Sequence, residues 1–186
     1  MRIVGGEFKG RPLAAPKGRA TRPTADRTRE AVFNKLAHAP WSAGVAGRRV
    51  IDLFAGSGAL GFEAMSRAAE FCLFVETDAA ARGAIRANVE TLGLWGNTRI
   101  HRRDATQLGD KPANVGPAFD LVFLDPPYGK GLGEKALARL IEGGWVAEDA
   151  VAVFEVGADE APETPGWDRL DDAVHGAARV VYLKRG

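Results

Sequence analysis

The residues with the clearest chemical character are Asp125-Pro126-Pro127-Tyr128, which end an apolar stretch at 119–125. Two consecutive prolines fix φ and prevent the strand from continuing. The turn therefore presents the Asp125 carboxylate and one or two backbone carbonyls as a rigid set of hydrogen-bond acceptors. Such a set suits chemistry on an amine attached to an aromatic ring, whose lone pair is delocalised into that ring.

Acceptors on both N–H bonds of such an amine favour a pyramidal nitrogen and free its lone pair for attack. We expect Asp125 and the carbonyl of Pro126 to serve in this way, with the carboxylate stabilising positive charge that develops on nitrogen. Tyr128 offers an aromatic face on which a nucleobase can stack. The alternative is a purely structural turn that ends a strand.

A glycine loop at 54–61 is the second candidate. Gly56, Gly58 and Gly61 form a G-x-G-x-x-G pattern directly after an apolar strand, and Glu76 follows 20 positions after Gly56 at the end of the next one. Glycines let the backbone approach a ligand closely, and a carboxylate at that distance can accept hydrogen bonds from ribose hydroxyls. The pattern fits NAD or any other adenosine-bearing cofactor, and a chance glycine cluster is the alternative.

Two further acidic residues favour S-adenosyl-L-methionine over NAD. Asp52 lies in the strand before the loop, where it can hold the loop or a cofactor ammonium, and Asp104 follows the third strand, where it can accept from an adenine amine. Acidic groups after three successive strands suit the ammonium, hydroxyl and amine donors of that cofactor. Each aspartate alone could equally cap a helix.

The elements that must position these residues follow an alternating pattern. We predict strands at 49–54, 71–76, 98–102, 119–125 and 151–156, and helices at 59–68, 79–93 and 132–143, which indicates an α/β fold with a parallel sheet covered on both faces. Stretches 167–175 and 178–185 predict an antiparallel hairpin. A further helix is predicted from about Thr24 to Pro40, and a possible short hairpin precedes it.

Composition and length bound the rest. A chain of 186 residues with 46% hydrophobic residues fits one domain. We divide it into a basic arm at 1–23 and a domain at 24–186. No apolar run is long enough to span a membrane, and the single cysteine, Cys72, excludes an internal disulfide and fits a cytoplasmic protein.

Charge is distributed unevenly. Residues 1–49 hold 11 Lys or Arg and 3 Asp or Glu, whereas residues 50–186 hold 14 and 21. A basic segment indicates a polyanionic partner, although a solvated tail is the alternative. The candidate RNA-binding residues are Arg2, Lys9, Arg11, Lys17, Arg19, Arg27 and Arg29.

Together these residues resemble a known family. The glycine loop with Asp125-Pro126-Pro127-Tyr128 resembles the class I amino-methyltransferases. The segments 2–6, 9–13 and 22–34 are similar to the RsmD type of bacterial 16S rRNA guanine-N2 methyltransferase. The resemblance covers nearly the whole chain, and the N-terminal segments are its specific part.

The resemblance implies a Rossmann-like, seven-stranded, mostly parallel sheet with a C-terminal antiparallel hairpin. It also implies S-adenosyl-L-methionine as methyl donor and 16S rRNA, possibly within the assembled small ribosomal subunit, as partner. The corner at 125–128 would hold the target guanine. The implied cofactor residues are Asp52, Phe54, Ala55, Gly56, Ser57, Gly58, Glu76, Asp104, Ala105, Arg22 and Thr24.

Two other functions stay open on the sequence. An adenine-N6 DNA methyltransferase would use the same acceptor turn, but 186 residues leave little room for a DNA-recognition domain. An NAD-dependent oxidoreductase would use the glycine loop, but it would need a second nucleotide-binding half.

The three histidines have no metal-ligand spacing, so we expect no metal site, and we expect a monomer.

Overall fold

The computed structural model describes residues 1–17 and 23–186, and the side chains of all of these except residues 23 and 24. Its centre is one seven-stranded sheet with the order β3-β2-β1-β4-β5-β7-β6, which places β1 and β4 side by side in the middle. The first five strands pair in parallel, and β7 pairs antiparallel with both β5 and β6. The fold class predicted from the sequence is therefore confirmed.

The sheet and its helices alternate along the chain. The strands are β1 Arg49–Leu53, β2 Phe71–Val75, β3 Thr98–His101, β4 Phe119–Leu124, β5 Val146–Gly157, β6 Trp167–His175 and β7 Ala178–Arg185. The helices are α1 Pro23–His38, α2 Ala59–Ser66, α3 Ala79–Leu92 and α4 Leu132–Glu142, with two short 3-10 turns at Ala105–Gln107 and Ala113–Val115.

Alternation of side chains along the strands divides the core into two layers. On one face, buried residues of α1, α2 and α3 pack against strand residues such as Val50 and Phe123. On the other face, α4 and the 3-10 turns pack against residues such as Ile51 and Phe154. Burial on both faces explains why the central strands read as continuous apolar runs.

Helix α1 begins at Pro23, one residue before the predicted start. Proline suits the first helical position because its missing N–H has no partner there. Strand β5 begins at Val146, five residues earlier than predicted, since the exposed Glu148 and Asp149 interrupt the apolar pattern. The register between β4 and β5 shifts at this point.

The N-terminal arm folds back on itself around one antiparallel bridge, Arg2 with Pro12, where Ile3 N donates to Arg11 O and Leu13 N donates to Met1 O, each at 3.0 Å. Other backbone N–H groups of the arm find partners on α2. Val4 and Gly5 donate to the two carboxylate oxygens of Glu63, each at 3.0 Å. Further along, Ala14 donates to the Asn88 side chain on α3 at 2.7 Å. Residues 1–17 therefore lie against the domain.

No helix within the described ranges is both long and apolar enough to cross a membrane.

Candidate active site

A cavity of about 890 Å³ opens at the carboxyl ends of β1 and β4. This is where ligands bind in open α/β sheets. Of the residues predicted to act, the cavity brings together the following, from the loop after β1, the corner after β4 and helix α1: Asp52, Phe54, Ala55, Gly56, Ser57, Asp125, Tyr128, Arg27 and Arg29.

The loop after β1 has an unusual backbone. Phe54 has φ 56°, and Gly56 has φ 59°. A bulky residue with positive φ is strained, and such strain clusters at ligand sites. A Cβ on Gly56 would meet no atom within 4 Å, so this glycine leaves open space for a ligand.

Gly58 has a different purpose. A Cβ there would lie 2.7 Å from the Phe62 ring and 2.9 Å from the Phe74 ring, and Gly58 does not line the cavity. Gly58 is the N-cap residue of α2, with a φ of 82°. Gly58 therefore lets the helix pack on the sheet, and the predicted cofactor contact stays untested for it.

Asp52 connects β1 to α2. Its Oδ2 accepts from the backbone N–H of Gly61 at 3.0 Å, and its side chain is almost completely buried. Burial raises the pKa of this carboxyl well above its ordinary value, and the nearby Glu76 charge raises it further. The residue holds the loop, one of the two roles weighed from the sequence, and also lines the cavity.

Glu76 and Asp104 lie along the same edge of the sheet, and neither lines this cavity. Glu76 accepts from Gly56 N at 2.7 Å and from Asp78 N at 2.9 Å, which fixes the carboxylate beside the loop. Asp104 is exposed after β3 and caps a 3-10 turn by accepting from Thr106 N at 2.8 Å, and Ala105 beside it is buried. Both carboxylates keep lone pairs for a ligand.

The corner after β4 presents Asp125 to the cavity. Its side chain is accessible from the cavity, yet the surrounding protein excludes enough water to raise the pKa of its carboxyl well above the ordinary value. A hydrogen bond with Glu155 and the negative charge of Glu155 add to that rise. Tyr128 stands at the cavity with 45% of its surface exposed, as a stacking face would.

Pro126 is buried and Pro127 is exposed, and both line a small cleft next to the main cavity. Within the part of the chain that the structure describes, no group donates to the Pro126 carbonyl.

Reasoning from the sequence missed two titratable side chains of this cavity, Glu155 and His175. Glu155 lies on β5 beside Asp125, and the signal for it is a carboxylate inside the buried apolar run Ala152–Val156. His175 lies at the end of β6, where the turn to β7 forms one wall. The local pattern predicts the turn itself but does not mark it as part of the site, because the strand order is what brings it beside β5.

The basic candidates differ in what they can contact. Lys9, Arg11 and Lys17 on the arm are exposed, as are Arg2 and Arg27. Arg29 is buried: it donates to Glu63 and Asp26 at 3.1 and 2.9 Å. Its guanidinium therefore fixes α1 to α2 and the arm, and we leave it out of the RNA-binding surface. Arg19 and Arg22 lie outside the described residues, as does the side chain of Thr24.

No group of three or more potential metal ligands occurs in the portion of the protein that the structure covers.

Comparison with known proteins decides the family. The family model described as "Conserved hypothetical protein 95", the RsmD family, matches residues 1–184. The chain belongs to the RsmD family. The relative named Ribosomal RNA small subunit methyltransferase D, from Escherichia coli (strain K12), is 38% identical over 184 residues, which cover 98% of this chain and 87% of the relative.

Solved structures share the fold of this chain. The structure of yhhF from Escherichia coli superposes with a TM-score of 0.85 at 36% identity, over 100% of this chain and 97% of that one. Magnesium protoporphyrin IX methyltransferase (ChlM) from Synechocystis, solved with bound SAM, has a TM-score of 0.66 at 15% identity, over 91% and 87% of the two chains. This distant likeness shows the shared methyltransferase fold.

Proposed function

We propose that this RsmD-family protein transfers the methyl group of S-adenosyl-L-methionine to the exocyclic N2 amine of a guanine in 16S rRNA. One observation carries the proposal: the loop at 54–57 and the corner at Asp125 and Tyr128 line the same cavity. The small-subunit rRNA named for the relatives supports the choice of RNA over DNA.

The residues present fit the proposed cofactor. A cavity of about 890 Å³ is in the range of small-molecule sites. Glu76 would accept from the ribose hydroxyls and Asp104 from the adenine amine, while Gly56 leaves room beside the loop. When bound, S-adenosyl-L-methionine supplies an electrophilic methyl group on a sulfonium.

The corner would prepare the nucleophile. A guanine stacked on Tyr128 would direct its N2 amine toward Asp125 and the Pro126 carbonyl. With an acceptor on each N–H bond, the nitrogen lone pair points out of the ring plane. Fixing this orientation accounts for a large share of the rate, because methyl transfer needs an in-line approach. The carboxyl of Asp125 would lie next to the nitrogen on which positive charge develops.

RNA would approach across the arm. Lys9, Arg11 and Lys17 are exposed there, and Arg27 is exposed where it lines the cavity. Cations in such positions contact phosphates and position the substrate without reading its sequence. A base held in a folded RNA must swing out of its stack to reach the corner.

The test gives the purified protein S-adenosyl-L-methionine with a labelled methyl group and, separately, naked 16S rRNA, assembled small subunits and duplex DNA. We expect label in N2-methylguanine of the RNA or the subunits. Asp125→Ala should lose at least about a hundredfold in rate and still bind the cofactor, whereas Asp149→Ala, an exposed aspartate on β5, should match the wild type. Label in DNA alone, or in adenine, would refute the proposal.

A further inference from the structure

Glu155 is the neighbour of Asp125 across the sheet. Leu124 and Phe154 are register partners in β4 and β5, so the next residue of each strand occupies adjacent positions at the carboxyl edge. Both side chains line the main cavity, and they are close enough to share a hydrogen bond. Tyr128 lines the same part of the cavity.

Glu155 is half-buried at this position. Ala152, Val153, Phe154 and Val156 around it on β5 are all buried. Burying a charged group is unfavourable unless other groups compensate it. Among residues 1–17 and 23–186, no lysine, arginine or histidine forms an ion pair with Glu155.

Asp125 and Tyr128 lie within hydrogen-bond reach of Glu155, and Asp52, Arg27 and His175 line the same cavity. Two adjacent carboxyl groups thus offer acceptors toward the cavity, and neither forms an ion pair among the described residues. A ligand with two neighbouring hydrogen-bond donors would complete this arrangement.

Guanine is the nucleobase that meets this requirement beside its reactive amine. Its N1–H lies next to the N2 amine, so one edge presents adjacent donors. Adenine presents its N6 amine beside N1, which is an acceptor and would face a carboxylate oxygen unfavourably. We infer that Glu155 is the residue that selects guanine, by accepting the N1–H while Asp125 accepts from the N2 amine. This inference rests on the function proposed above.

The test replaces the target guanine, once it has been mapped by the labelling experiment, with 2-aminopurine in a ligated 16S rRNA. This base keeps the amine at C2 but has an acceptor at N1. The wild-type protein should prefer guanine by at least about a hundredfold in kcat/KM, since a site built for a hydrogen bond strongly rejects a base that lacks the donor. A target 1-methylguanine, which keeps O6 but has lost the N1–H, should be rejected as well.

In Glu155→Gln the side-chain amide can donate a hydrogen bond to N1 of 2-aminopurine, whereas the wild-type carboxylate can only accept one. We expect the preference for guanine over 2-aminopurine to fall at least about tenfold in this variant. Glu148→Gln, an exposed glutamate on the same strand, should keep the wild-type preference. Thermal unfolding and cofactor binding check that both variants are folded.

Two results would overturn the assignment to Glu155. One is an unchanged guanine preference in folded Glu155→Gln. The other is wild-type protein that methylates 2-aminopurine as fast as guanine, and it is decisive even if the variant does not fold. Either result leaves the proposed function intact as long as guanine N2 is labelled, whereas absence of label at any guanine would refute the proposed function itself.

Discussion

Glu63→Gln should destabilise the protein more than an exposed substitution of the same kind. Glu63 is completely buried on α2, and its two oxygens accept four hydrogen bonds. The donors are Val4 N and Gly5 N of the arm, Arg29 Nε of α1 and Arg67 Nε, just after α2. A glutamine amide offers one acceptor oxygen and places N–H groups where the other donors already point.

The cost follows from what the substitution leaves behind. Arg29 is 4% exposed and would keep a buried charge with only part of its compensation. Removing one partner of a buried ion pair costs about 3–5 kcal/mol. Arg67, at 21% exposed, can turn to solvent and should add little. For a chain of this size, Tm falls by about 2–4 °C for each kcal/mol of unfolding free energy that is lost, so we expect a total fall of about 6–20 °C.

Denaturant and thermal unfolding of Glu63→Gln measure this loss, with Glu90→Gln on the exposed face of α3 as the control, expected within about 0.5 kcal/mol of the wild type. Because Met1, Ala15 and Pro16 of the arm line the cavity, the variant should also bind S-adenosyl-L-methionine more weakly. A loss of less than about 1 kcal/mol would show that the buried pair does not hold the arm in place.

Alanine substitutions at the two loop glycines should have different effects, one mainly on stability and the other mainly on cofactor binding. Gly58→Ala should cost at least about 2 kcal/mol in denaturant unfolding, because its Cβ would overlap two aromatic rings. Gly56→Ala should lower the free energy of unfolding by about 1 kcal/mol, and its main effect should be weaker cofactor binding, measured by calorimetry. Equal losses of stability in Gly56→Ala and Gly58→Ala would contradict this prediction. Tyr128→Ala should weaken RNA binding by about 1–3 kcal/mol, seen as a higher Kd or KM, whereas Tyr128→Phe should change RNA binding little. An equal loss of RNA binding in both variants would argue against stacking. Asp125→Asn should become more stable relative to the wild type as pH rises. The surrounding protein keeps water from the Asp125 carboxyl and raises its pKa, so above the ordinary carboxyl range the folded wild type binds more protons than its unfolded chain. A pH-independent difference in unfolding free energy would contradict that reason.

Much of the fold could be read from the sequence because its central strands are buried on both faces. The run 119–124 is nearly all apolar and forms β4, and the glycine loop and Asp125 follow two strands that are sequence-distant but adjacent in the sheet. Carboxyl ends of parallel strands share one edge, so the strand pattern was enough to predict that residues at those ends lie together.

The remaining features depend on contacts between distant segments. Arg29 sits in a basic segment, and nothing nearby reveals that its partner is Glu63, 34 positions away. Val4 N and Gly5 N of the arm bond to Glu63 on α2, which a hairpin pattern does not disclose. Glu155 did have a local signal, a charge within a buried strand, but its neighbour Asp125 emerges only from the β4–β5 register.

The most direct test of the account is a crystal structure of the protein with sinefungin, which carries an amine in place of the transferable methyl group. We expect the adenosine part between Glu76 and Asp104, the amino-acid part beside Gly56, and the sinefungin amine facing Asp125 across the cavity. A cofactor analogue bound away from the loop at 54–57, or with its amine pointing away from Asp125, would contradict the account.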